Sequence, residues 1–186
     1  QSLRMMERAF RLRYCVWTET AAAWSFAYIG QREKAVEAEN RTLKVAQEYS
    51  DKSMICFAAF GLCYVYTIQG MLEPALKFGE LGVNSAPTLA DKAWSSLALA
   101  WALCRSGSTD QGIQILSQIL PRLRGRGTLP EIISVTALGE GYRLAGNYDE
   151  SKSILESSVE LSQRADYKWF YEIGRASCRE RVCHRV

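Results

Sequence analysis

The chain has 186 residues, 48% hydrophobic and 23% charged, a length of about one domain and a composition that excludes disordered and collagen-like classes. No apolar run approaches the roughly 20 residues that cross a bilayer, and the opening QSLRMMERAFRLRY lacks the apolar stretch of a signal peptide, so no membrane partner is expected. The formal charge of +3 arises wholly in residues 173–186, with four arginines against one glutamate; the other 172 residues carry 19 charges of each sign, which removes the electrostatic footprint of a nucleic-acid binder.

Taken in chain order, residues 1–14 contain MMERAFRL, which reads as the end of a helix preceding the first repeat. There is no initiator Met, and the expectation is a piece of a larger protein, covalently linked to further domains. Four similar segments follow: AAWSFAYIGQREKA (22–35), LCYVYTIQGMLEPA (62–75), LAWALCRSGSTDQG (99–112) and LGEGYRLAGNYDES (138–151). Their glycines, Gly30, Gly70, Gly107 and Gly146, are 40, 37 and 39 residues apart. Before each glycine the apolar residues recur at helical spacing. Glycine then ends a helix cheaply in the left-handed conformation. A second amphipathic stretch follows, and its small residue (Ala35, Ala75, Gly112 or Ser151) lets two helices approach closely. Each copy places Leu43, Val83, Leu120 or Val159 eight residues further on. The spacing therefore predicts helix hairpins over 15–165.

Start signals agree with this division. Ser108 with Gln111, Asn147 with Glu150, and Thr128 with Glu131 have the spacing of capping boxes. Pro74 falls in a first helical turn, where proline is tolerated. Pro121 lies deeper, at a cost on the order of 3 kcal/mol, so the helix around it should kink or end nearby. RGRGT, 124–128, reads as a loop. DYKWFYE, 166–172, reads as the start of a truncated next helix.

The body contains no histidine, because His184 is the only one in the chain. That removes Ser-His-Asp and Cys-His pairs and most metal sites. Neither GxxxxGK[ST] nor GxGxxG occurs. Asp149 and Glu150 sit at a helix start, where their charge favours the helix dipole. No catalytic residue, metal ligand or cofactor is expected. Cys15, Cys56, Cys63 and Cys104 show no CxxC spacing and read as small buried residues of a reducing, cytoplasmic compartment.

The four segments together resemble the tetratricopeptide repeat in a longer form of about forty residues. ADKAWSSLALAWALCRSG and LGEGYRLAGNYDES are similar to the C-terminal repeat region of bacterial multidomain signalling proteins that carry a class III nucleotide cyclase and an AAA-type ATPase. The sequence departs from the common pattern at Gly112 and Ser151, where Ala is usual, and at Ala22, where Leu is usual. The resemblance implies an all-α solenoid of antiparallel helix hairpins, an α-α superhelix, that binds a protein or peptide as a non-enzymatic regulatory region. An effector-sensing region of a transcription activator and a free-standing adaptor are the alternatives. It also implies a groove lined by the first helices. On that alignment Trp17, Phe57, Trp94 and Ile133 share one position, Thr20, Phe60, Leu97 and Thr136 a second, and Trp24, Tyr64, Trp101 and Glu140 a third. Trp17, Trp24, Phe57, Phe60, Tyr64, Trp94 and Trp101 would form an aromatic stripe able to grip a peptide, or a core in which the rings bury one another. Glu140 and Arg143 would form the polar end of that groove, or a surface ion pair.

One legal spelling of IGRASCRERV, 173–182, is ATC GGA AGA GCG TCG TGT AGG GAA AGA GTG, which resembles a widely used sequencing-library adapter read in frame. The likeness stops after Val182. Residues 173–186 are thus expected to be a non-native read-through tail. A zinc knuckle from Cys178, Cys183 and His184 would lack a fourth ligand, and a true basic tail is the remaining reading.

Overall fold

The computed structural model describes the backbone of residues 2–123 and 129–164, and the side chains of 13–123 and 129–164. Every element in it is a helix: α1 Ser2–Tyr28, α2 Arg32–Glu48, α3 Lys52–Gln69, α4 Leu72–Ser85, α5 Leu89–Arg105, α6 Thr109–Leu123, α7 Leu129–Leu144 and α8 Tyr148–Arg164. The expected loop at 124–128, the cap at Thr128, the helix start at 166–172 and the tail 173–186 lie outside the described residues.

The repeat glycines end α1, α3, α5 and α7 in the left-handed region, with φ of 79°, 76°, 97° and 83° at Gly30, Gly70, Gly107 and Gly146. Three of these turns share one hydrogen-bond pattern. The N–H after the glycine reaches back five residues, from Gln31 to Phe26 at 2.8 Å, Met71 to Tyr66 at 2.9 Å and Asn147 to Tyr142 at 2.9 Å. Carbonyls left over at a helix end are satisfied this way. Between α2 and α3 a residue with a side chain does the same work: Ser50 has φ 52°. Asp51 then caps α3 by accepting the Met54 N–H at 3.2 Å, a start signal the sequence reading did not single out. Thr88 and Asp91 open α5 reciprocally. The Asp91 N–H reaches Thr88 Oγ1 at 3.1 Å, and the Thr88 hydroxyl donates to Asp91 Oδ2 at 2.7 Å.

One difference from expectation has a local cause. Residues 2–14, expected as the end of a separate preceding helix, run into the first helix of the first hairpin without a break. No Gly or Pro lies between Ser2 and Tyr28 to stop a helix that has started. In α6 the helix continues two residues past Pro121 before its described end at Leu123. The described helix stops within one turn of the proline, and residues 124–128 beyond it lie outside the described residues.

By its contacts the chain divides into two compact units, residues 1–102 and 103–186. In the first, α1 packs on α2, α2 on α3 and α3 on α4, and α1 also meets α3. The small residues work as spacers: Ala35 and Ala75 are wholly buried. Gly79 and Gly82 extend that smoothness along α4, where a Cβ would come within 2.9 Å of Leu99 and 2.8 Å of Ser95 Oγ. In the second unit α6 packs on α7 and α7 on α8, with Leu116, Leu120, Ile132 and Leu138 in the core. Ser151 takes the small position of α8, and its hydroxyl donates to the Gly139 carbonyl of α7 at 2.8 Å. Each contact joins a helix to the next one or next but one, which is how a repeat array builds its core from local pieces.

Candidate interaction face

In the first unit α1, α3 and the start of α5 present the residues aligned as a groove. Their helical spacing puts Trp17 and Trp24 on one stripe of α1, Phe57, Phe60 and Tyr64 on one stripe of α3, and Trp94 and Trp101 on α5. All seven rings join one network. Trp17 stacks on Phe57 with centroids 4.4 Å apart and meets Trp94 edge-on at 6.5 Å. Phe60 lies between Trp24 at 5.6 Å and Trp94 at 5.1 Å. Tyr64 links Trp24 at 4.8 Å to Trp101 at 5.0 Å. Offset and edge-on pairs of this kind suit the ring quadrupoles and add about 0.5–1.5 kcal/mol each beyond area burial.

Exposure changes steeply along the network. Phe60 is wholly buried, Tyr64 and Trp24 are 3% and 6% exposed, and Trp17 is 53% exposed. Phe57, Trp94 and Trp101 are half-buried. The band is therefore surface at Trp17 and core at Trp24, Phe60 and Tyr64. Tyr14, one turn before Trp17, is also exposed. Sequence periodicity assigns a residue to a face but does not say which neighbour covers it, so this gradient had no signal in the sequence. Thr20 and Leu97, which share the middle position with Phe60, are buried too.

Polar contacts pin the ends of the helices that carry the exposed rings. Arg13 pairs with Asp51 at 3.3 Å, the Ser53 hydroxyl donates to Asp91 Oδ2 at 3.2 Å, and Cys56 Sγ lies 3.0 Å from Ser95 Oγ. Beside the buried rings the Tyr28 and Tyr64 hydroxyls share a hydrogen bond of 2.7 Å. Neither Tyr28 nor Asp51 was named from the sequence. Tyr28 lies outside the three aligned positions, and Asp51 follows a non-glycine turn.

Glu140 and Arg143 form an i,i+3 ion pair at 3.7 Å in the second unit. Ile133 is buried there and Thr136 half-buried, so no aromatic side chain occupies the three aligned positions on α7. The cysteines divide. Cys56, Cys63 and Cys104 are buried as expected, but Cys15 is exposed. Burial pushes the Cys63 thiol up to about 12 and the Cys104 thiol up to about 11, the latter also under the Glu140 charge. Burial raises Cys56 as well. Thiols held protonated at neutral pH are poor nucleophiles and poor ligands. Among the described residues no group of three or more His, Cys, Asp or Glu side chains could hold a metal ion, and no helix is long and apolar enough to cross a membrane.

No protein-family model matches the chain, and no curated protein matches it closely. Solved structures do. A Podosopora anserina protein assigned as a candidate kinesin light chain, with nearly identical TPR-like repeats, superposes with a TM-score of 0.58 at 18% identity, covering 92% of this chain and 97% of its own. A single-substitution form of it superposes with a TM-score of 0.59 at 19% identity, covering 91% and 95%. At such identities the likeness is one of fold, and the fold is an all-α array of tetratricopeptide-like helix hairpins.

Proposed function

We propose that this chain is a protein-interaction scaffold that takes a peptide segment bearing large apolar side chains on the exposed end of its aromatic band, at Trp17, Phe57 and Trp94. The observation that carries this reading is Trp17. More than half of its surface faces solvent, yet its ring is held against Phe57 at 4.4 Å. A large, rigid, half-exposed indole on a pre-ordered support offers contact area at low entropic cost, the quality that concentrates binding energy in Trp and Tyr. Phe60 packs against Phe57 and Trp94, and Trp24, Tyr64 and Trp101 continue the ring network from it. Glu140 and Arg143, in the other unit, are read as a surface ion pair rather than as part of the band.

The finer setting rests on the sequence resemblance alone. On that basis the chain is the regulatory repeat region of a larger cytoplasmic bacterial signalling protein of the cyclase and ATPase type, without catalysis of its own. Peptide-display selection on the wild-type chain, repeated on Trp17→Ala and Trp94→Ala, tests the face. Peptides rich in apolar residues should be enriched on the wild type and lost on both variants, with the thermal midpoint of Trp17→Ala little changed. Equal enrichment on all three proteins would place the binding surface elsewhere.

A further inference from the structure

Four residues beyond the small residue of each repeat stand Glu39, Gly79, Leu116 and Leu155. Three copies carry an apolar side chain or none, and the first carries a carboxyl. Glu39 is nonetheless wholly buried, between α1 and α3. Its Oε2 accepts the Thr20 hydroxyl at 3.2 Å. Its Oε1 has no hydrogen-bond partner. The carboxyl fills the space beside Gly61 of α3 that a Cβ would otherwise occupy. A buried carboxylate with one hydrogen bond and no cation is costly, and a group so placed keeps its proton instead. Burial accordingly pushes the Glu39 carboxyl up to about 8, with the Thr20 hydrogen bond acting against the rise and the Glu19 charge adding to it.

We propose that Glu39 is a proton-held latch joining α1, α2 and α3: protonated, it is a neutral filler between Thr20 and Gly61, and deprotonated, it leaves a bare charge in the hairpin core that loosens the three helices. Among the described residues the groups facing it do not supply a counter-charge. On α1 these are the Thr20 hydroxyl and the Glu19 carboxylate, and Arg41 of α2 is already spent on Glu19 at 3.0 Å. On α3 the only charged side chain is Lys52, nine residues from Gly61 and so about 13 Å away along the helix. Cys63 of α3 is held protonated by burial. Trp24 Nε1, buried one turn beyond Thr20, also lacks a partner.

The direction of the effect follows from linkage. The folded carboxyl loses its proton near 8 and the unfolded one near 4.5. Stability from the protonated latch is complete below about 4.5 and is lost as pH rises through that window to about 8. Within it each pH unit lowers the folded-to-unfolded ratio about tenfold. Its partners Thr20 and Gly61 stand on the helices that carry Trp17 and Phe60, and the latch does not depend on anything binding at those rings.

The test is made on the full chain, with 13C-labelled glutamate followed by NMR from about pH 4 to about pH 9. One carboxyl carbon should titrate well above the others, and its resonance should be absent from Glu39→Gln. In parallel, the thermal midpoint of the wild type should fall as pH rises from about 5 to about 8, while Glu39→Gln and Glu39→Leu show a flatter profile. Titration of Glu39 together with the other glutamates overturns the proposal, as do equal pH profiles for wild type and variants. Should Glu39→Gln fail to fold, the wild-type titration decides alone.

Discussion

Residues 13–102 and 103–164 follow one repeat register and fill it in opposite ways. The first region packs seven aromatic rings and one buried acid against α1, α3 and α5. The second, although it too buries one acid, Glu131, relies mainly on small residues and hydroxyls: Gly139 lies under Leu155, where a Cβ would come within 2.7 Å, and a Cβ at Gly141 would come within 3.0 Å of Cys104 and Ile113. Thr136 and Ser158 share a hydrogen bond of 2.7 Å between α7 and α8. Register fixes where helices turn and which stripe faces inward; it leaves the volume on that stripe free. Small side chains let α7 and α8 close on each other. Large rings cannot all be covered, so the band emerges at Trp17, and the proposed binding surface follows from an excess of volume rather than from an added element.

The largest expected break in this comparison is Phe60→Ala. It removes a wholly buried ring in contact with four others, and urea denaturation should show a loss of about 3–5 kcal/mol. Leu116→Ala, its counterpart in the second region, should lose about 2–4 kcal/mol; a larger loss there would mean the aromatic core holds no special weight. Gly61→Ala comes next, at about 1–3 kcal/mol, because the new methyl meets the Glu39 carboxyl. Combined with Glu39→Ala the cost should be clearly less than additive, and additivity would show that Gly61 is not shaped by Glu39. Asp51→Ala should cost about 1 kcal/mol through the lost α3 cap. Arg143→Ala should change stability by no more than about 0.5 kcal/mol, because a partly solvated ion pair is worth little.

The glycine register made the hairpins legible. Gly30, Gly70, Gly107 and Gly146 each need the left-handed region, and the small residues that follow are all buried, so period and turn chemistry pointed the same way. Asp51 was missed because the turn before it is made by Ser50, which carries no glycine signal. The unbroken α1 was missed because a repeat boundary was inferred where no helix-breaking residue stands. Glu39 was illegible for a different reason. In a sequence a glutamate within a polar stretch such as VEAENR reads as a solvated face, and only three-dimensional packing against Gly61 makes it core. The aromatic stripe was legible as a stripe, but its division into core and surface depends on cross-helix neighbours such as Tyr64 over Trp24.

At Gly30, Gly70, Gly107 and Gly146 nothing lies within 4 Å of the point where a Cβ would stand. Space therefore does not select glycine at these turns; handedness does. An L-alanine at Gly70 would have ample room and still be penalised by about 1–2 kcal/mol for its φ of 76°. A D-alanine, introduced by chemical synthesis or ligation, prefers that same region and narrows the unfolded ensemble, so it should stabilise the hairpin by about 0.4–1 kcal/mol. The four turns discriminate mirror images while ignoring bulk, and this leaves their outward side open to chemistry that the packed helices would refuse.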